Sequence, residues 1–148
     1  MIRNAVAIWK GGPGAGEGRV STSSGVISNA LYSAASGTGN EPCTSPSEML
    51  AAAVASCISL MLVQEMAKAG LKDEYVKTES QLMLEQKKGR WEITGIELNV
   101  TAIVPKVHAK KFQRAAQSAK TKCHISRALN VPIKMTAKAE LGPTATAA

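Results

Sequence analysis

The chain has 148 residues, 45% of them hydrophobic and 20% charged, which fits one globular domain with its own core and argues against a disordered chain. Aromatic residues make up only 3%, so Leu, Ile, Val, Met and Ala must build that core. The formal net charge of +7 forms no long basic run, and few aromatics are available to stack on bases, so a nucleic-acid module is disfavoured against a solvated basic surface.

Three cysteines, Cys43, Cys57 and Cys123, are an odd number at wide spacing. They do not form the framework of a small secreted domain, and without a Cys-x-x-Cys pair or a His/Cys quartet no metal is expected. No stretch is read as crossing a bilayer, and "MIRNAVAIWKGGPG" lacks the apolar core of a signal peptide, so a cytoplasmic location is expected.

In chain order, Met1 to Trp9 alternates loosely and reads as a strand, and "GGPGAGEG" (Gly11 to Gly18) as a connection. That run is not a phosphate-binding loop, because no Gly-Lys-Ser/Thr ends it. "RVSTSSGVISNALYS" predicts two short strands around Ser24 and Gly25, and "AASGTGNEPCT" a loop. A helix follows. Ser45 is its N-cap, Pro46 its first residue, Glu48 completes a capping box, and Gly70 closes it. Ala51 to Leu62 is apolar nearly all round, which predicts burial on most sides and makes a partner subunit a natural candidate for part of the cover.

Alternation in Lys77 to Leu84 and in Ile93 to Val104, with Lys88-Gly89 between, predicts a long hairpin. "HAKKFQRAAQSAKTK" predicts a polar helix with Phe112, Ala115, Ala116 and Ala119 as its apolar stripe. "CHISRALN" predicts a short helix opening at Cys123, "VPIKMTAKAEL" a last strand, and residues 142–148 a frayed tail. The order predicts an α+β chain with antiparallel sheet, as a single domain over residues 1–141.

A lone cysteine in an apolar helix is ordinarily a small core side chain. Around Cys57, however, Ala53, Ala55, Ser56 and Ser59 leave room for a substrate or a second chain. Cys123 lies between Lys122 and His124 at a predicted helix start, where the dipole and nearby cations favour thiolate, though a capping or surface cysteine fits the same place. Cys43 reads as a loop cysteine.

"SPSEMLAAAVASCISLML" together with the distant "AKTKCHISRALN" resembles the OsmC/Ohr family, and "GEGRVSTSSGV" and "LMLVQEMAKAGL" resemble its OsmC branch. The resemblance spans about residues 5 to 141. It implies an intertwined α+β homodimer whose antiparallel sheets pack around a long central helix carrying Cys57. It implies a thiol peroxidase for organic hydroperoxides that needs no haem, flavin or metal. Cys57 matches the peroxidatic position and Cys123 the resolving one, with reducing power from a dithiol such as dihydrolipoamide on a partner protein. That chemistry suits two thiols: one becomes a sulfenic acid, the other condenses with it to a disulfide, and a dithiol reduces the disulfide by exchange.

The chain departs from the family pattern at several positions. Cys57 is too deep in its helix to use the helix's own N-terminal dipole, so an Arg from elsewhere is expected to favour its thiolate. The segment Ala34 to Thr44 holds no Arg, and Gly16 stands where the family has its N-terminal one, which leaves Arg19 as the candidate. The family's acidic residue falls at Ser47, with Glu48 beside it. On an ideal helix Glu48 is about 180° around from Cys57 and about 13 Å along, so it would orient the Arg only through a kink or across a dimer interface. His124 replaces a Pro, either tuning Cys123 or facing solvent.

The expected catalytic set is therefore Cys57, Cys123, Arg19 and Glu48, with Met49, Leu50, Ile58 and Met61 as walls for an apolar tail. The alternative is a protein of the same fold that binds a small apolar or thiol-bearing ligand with weak or no peroxidase activity. A basic nucleic-acid module ranks third and would need steeply salt-dependent DNA binding.

Overall fold

The structure is a computed structural model that describes residues 1–13, 15–33, 42–71, 75–104 and 108–140. Of the loop expected over residues 34–44, residues 34–41 lie outside the described residues, as does the tail expected over 142–148. Length and composition predict one domain; the chain packs as two compact units, Met1–Leu50 and Ala51–Ala148.

The first unit is a three-stranded antiparallel sheet in the order β1 (Ala5–Lys10), β2 (Glu17–Thr22), β3 (Ala30–Tyr32). Ile8 pairs with Arg19 and Gly18 with Tyr32 in its register. The turn expected at Ser24-Gly25 is present, closed by Gly25 N–H donating to the Thr22 carbonyl at 3.0 Å. Thr44 then bridges Tyr32 and delivers the chain to α1 (Pro46–Lys68). The capping box forms as its residue types require. Glu48 N–H donates to Ser45 Oγ, and Ser45 N–H donates to Glu48 Oε2, both at 3.2 Å.

The other end of α1 closes as a Schellman turn. Leu71 N–H reaches back to the Met66 carbonyl and Gly70 N–H to that of Ala67, with Gly70 at φ +69°. Met66 and Leu71 are both buried, the apolar contact that goes with this cap.

In the second unit β4 (Val76–Lys87) and β5 (Arg90–Ile103) form the long hairpin. Lys88 and Gly89 both have positive φ, the two-residue turn whose twist matches the strands. α2 (Ala109–Lys122) and α3 (His124–Ala128) follow, and β6 (Ile133–Glu140) pairs with β5 in parallel. The second sheet is thus mixed, whereas the sequence predicts antiparallel pairing alone. The connection from β5 to β6 runs through two helices, and a helical crossover is what parallel neighbours need.

One buried cluster holds this unit together: Val54, Cys57, Ile58, Leu62 and Met66 of α1; Ile96, Leu98, Val100 and Ala102 of β5; and the expected α2 stripe. The 23 residues of α1 are long and apolar enough, by length and composition, to cross a membrane, against the expectation that no stretch is. Charge is confined to its two ends, at Glu48 and from Glu65 onward, which leaves a long apolar middle. One side of that middle is buried in the cluster, so the helix serves as a core element.

Candidate active site

Cys57 lies near the middle of α1 and Cys123 at the junction of α2 and α3. Their sulfurs are 2.7 Å apart, and both thiols are free and buried, Cys57 at 5% exposure and Cys123 at 0%. Cys123 is built into two helix ends at once. Its N–H donates to the Ala119 carbonyl as α2 ends, and its sulfur accepts from Ser126 N–H at 3.4 Å as α3 begins. Ser126 Oγ donates to the same sulfur at 3.2 Å. The side chain that caps the new helix is therefore held against α1.

The surroundings push the two thiols apart electrostatically. Burial raises the Cys57 thiol above its ordinary value, and the hydrogen bond with Cys123 adds to this, while the backbone N–H groups of Ile125 and His124 pull it down. Burial also opposes ionisation of Cys123. There the hydrogen bonds with Cys57 and Ser126 and with the Ile125 backbone outweigh burial, and the thiol lies below the ordinary cysteine value. Of the two sulfurs, Cys123 is therefore the one whose surroundings favour the thiolate, and Cys57 the one whose surroundings favour the thiol.

Glu65 ties this corner together from α1. Its carboxylate accepts from Lys122 and Ser118 of α2 and from Lys68 of α1, at 2.8, 2.6 and 2.7 Å. The Lys122 bond first, then those of Lys68 and Ser118, lower its pKa to about 2. Lys122 directly precedes Cys123, so this anchor sets where α2 delivers the second thiol.

Of the residues expected from sequence, the structure brings Cys57 and Cys123 together and adds His124, whose Nδ1 lies 3.8 Å from Cys57 Sγ. Arg19, on β2, is held by Glu17 Oε1 at 2.6 Å and by the Asn29 carbonyl at 3.0 Å. Glu48 serves the cap of α1 and also accepts from Thr44 Oγ1 at 3.1 Å. Cys43 sits 3.5 Å from Ser33 Oγ. Ile58 is fully buried core, and Met61 packs against the core. The sequence does not single out Ser126, Glu65 or the amides of His124 and Ile125. Only Ser126 had a local signal, three residues after a helix-opening Cys, where a capping side chain meets a backbone N–H. Among the described residues no group of His, Cys, Asp and Glu is placed to hold a metal.

Residues 37–138 match the family model described as OsmC-like protein, and the chain belongs to that family. It is 32% identical to Peroxiredoxin OsmC of Escherichia coli over 129 residues, covering 87% of this chain and 90% of that one. The fold is similar to that of an OsmC-like protein of unknown function from Vibrio cholerae (TM-score 0.76, 18% identity, 93% and 99% of the two chains covered). It is also similar to that of the organic hydroperoxide resistance protein OhrB of Bacillus subtilis (TM-score 0.65, 20% identity, 91% and 98% covered).

Proposed function

We propose that this chain is a thiol-dependent peroxidase that reduces organic hydroperoxides, acting as a homodimer in cytoplasmic defence against oxidative or osmotic stress. The observation that carries the reading is the buried pair of free thiols with sulfurs 2.7 Å apart. A relative named Peroxiredoxin OsmC at 32% identity supports the reaction class.

In this reading the Cys57 thiolate attacks the peroxide oxygen farther from the organic group. The S–O bond forms as the O–O bond breaks, and the departing alkoxide takes a proton to leave as an alcohol. Cys57 is then a sulfenic acid. Cys123 attacks that sulfur, the S–O bond breaks, and water leaves with the Cys123 proton. A dithiol such as a lipoylated protein returns two electrons and two protons by exchange, restoring both thiols. Arg19 stabilises the thiolate and the charge developing on the peroxide oxygens, with Glu48 orienting it, as the family resemblance implies. No cofactor takes part.

The test is mass spectrometry of the intact and digested protein within seconds of adding one equivalent of cumene hydroperoxide. A Cys57–Cys123 disulfide is expected, reversed by dihydrolipoamide and absent in Cys57→Ser. If all three cysteines stay reduced, the pair is core packing, and the small-ligand-binding reading replaces the peroxidase.

A further inference from the structure

Cys57 has a difficulty that its partner thiol does not relieve. Its sulfur is buried, and burial together with the neighbouring Cys123 disfavours its ionisation. A proton leaving it needs an acceptor in contact with the sulfur and in contact with water. Among the described residues of the second unit, two titratable side chains touch Cys57 Sγ: Cys123 at 2.7 Å and His124 Nδ1 at 3.8 Å. Cys123 Sγ is already engaged, accepting from Ser126 through both the backbone N–H and Oγ. It is also buried, so a proton placed there has no exit. His124 is exposed, so its ring can meet the sulfur at Nδ1 and solvent beyond it.

We propose that His124 is a catalytic residue of this reaction, with Nδ1 accepting the Cys57 proton and returning it to the departing alcohol oxygen. The proposal rests on the peroxidase reading and adds to it the proton's route. The balance closes. His124 takes H⁺ from Cys57 and becomes imidazolium, and the thiolate forms the S–O bond while the O–O bond breaks. The alkoxide so released recovers that H⁺ from Nδ1. Thiol and hydroperoxide have become sulfenic acid and alcohol, and the imidazole is neutral again. The neutral tautomer this requires carries its proton on Nε2 and leaves Nδ1 as acceptor. An imidazole nitrogen with a free lone pair can take a proton and hand it on.

Among the described residues Cys57 on α1 meets the ring directly, and the titratable or charged neighbours in sequence are Cys123, Lys122 at the end of α2 and Arg127 on α3. The Lys122 ammonium is engaged by Glu65 at 2.8 Å. Among the described residues no carboxylate pairs with His124, so no anion competes with Cys57 for the ring.

The experiment follows alkylation of Cys57 by iodoacetamide in the full chain, by peptide mass spectrometry, from pH 5 to 9. It compares the wild type with His124→Gln, His124→Asn and His124→Ala, and records disulfide formation with cumene hydroperoxide in each. At pH 7 the Gln variant is expected to alkylate at least about tenfold more slowly, and to approach the wild type only at high pH, where hydroxide ionises the thiol directly. Added imidazole is expected to restore the Ala variant, a rescue that a packing role does not produce. Asn serves in place of Gln should Gln perturb the circular dichroism spectrum. Unchanged pH profiles in folded variants, with the wild-type disulfide still forming, overturn the role of His124 alone. Failure of the wild type to form the disulfide overturns the peroxidase reading and the catalytic role with it.

Discussion

At the scale of single residues, the site turns on two sulfurs that share a contact but not an environment. Cys123 is capped by Ser126 twice over, while Cys57 meets only two backbone amides against its burial. The hydrogen bond with Cys57 lowers the Cys123 thiol most, and the Ser126 hydroxyl and N–H lower it next. Replacing Ser126 with Ala removes the hydroxyl and keeps the backbone N–H, so the midpoint for Cys123 ionisation should move to higher pH. Thiol-specific alkylation of Cys123 against pH reads this, and an unmoved midpoint leaves the hydroxyl without a part in holding the thiolate. The two cysteines were legible in the sequence because each lies in a local pattern, one following a capped helix start and the other opening a short helix. The amides that face Cys57 were not, because they arrive from residues 124 and 125, and only the folded α3 aims them. From sequence alone the activating charge falls to Arg19, which is bonded to Glu17 of β2 and to the carbonyl of Asn29 just before β3.

At the scale of elements, helix ends carry most of what the sequence makes readable. The capping box of α1 and the glycine closing it are set by residues within a few positions of each other, and both form as expected. The apolar stripe of α2 is equally local, and Phe112, Ala115, Ala116 and Ala119 are all buried. The parallel pairing of β6 was not legible. Alternation in Ile133 to Glu140 marks a strand but says nothing about its neighbour or direction, which the helical crossover decides. Glu65 was equally hidden, since its partners Ser118 and Lys122 are distant in sequence. Its consequence is testable through pH. The Glu65 pKa is about 2 in the folded chain against an ordinary value of 4.5, so the folded state binds this proton less readily than the unfolded state. The stabilisation is then complete above about pH 4.5 and is lost as the pH falls through about 2. Glu65→Gln should therefore lower Tm at pH 7, and the gap to the wild type should shrink across that acid window. It should also slow Cys57–Cys123 disulfide formation, because the end of α2 loses its tether to α1. A gap in Tm that does not change between pH 5 and 2 assigns the loss to packing instead.

At the scale of the whole molecule, each unit leaves apolar surface in water that its size does not require. All of β1 is exposed, including Val6, Ile8 and Trp9. In the second unit Trp91 is 70% exposed and Leu60 of α1 64%. The exposed positions of α1 include Ala52, Ser56, Leu60, Val63, Gln64 and Ala67, which share one face by their spacing, opposite the buried residues from Val54 to Met66. Small residues there would let another helix approach closely. Burying such side chains is worth about 25 cal/mol for each Å² of apolar area removed from water, so an uncovered face of this kind favours self-association. The sequence already pointed this way, since a helix apolar nearly all round needs cover on more than one side. The homodimer in the proposed function supplies it. Sedimentation equilibrium should then give twice the chain mass for the wild type. Leu60→Glu places a charge in the middle of the face and should shift the protein toward single chains, with a fall in Tm that depends on protein concentration. A wild type that sediments as a single chain at all concentrations would remove the dimer from the proposal. It would not touch the thiol pair, because Cys57, Cys123 and His124 all belong to one chain and meet within it.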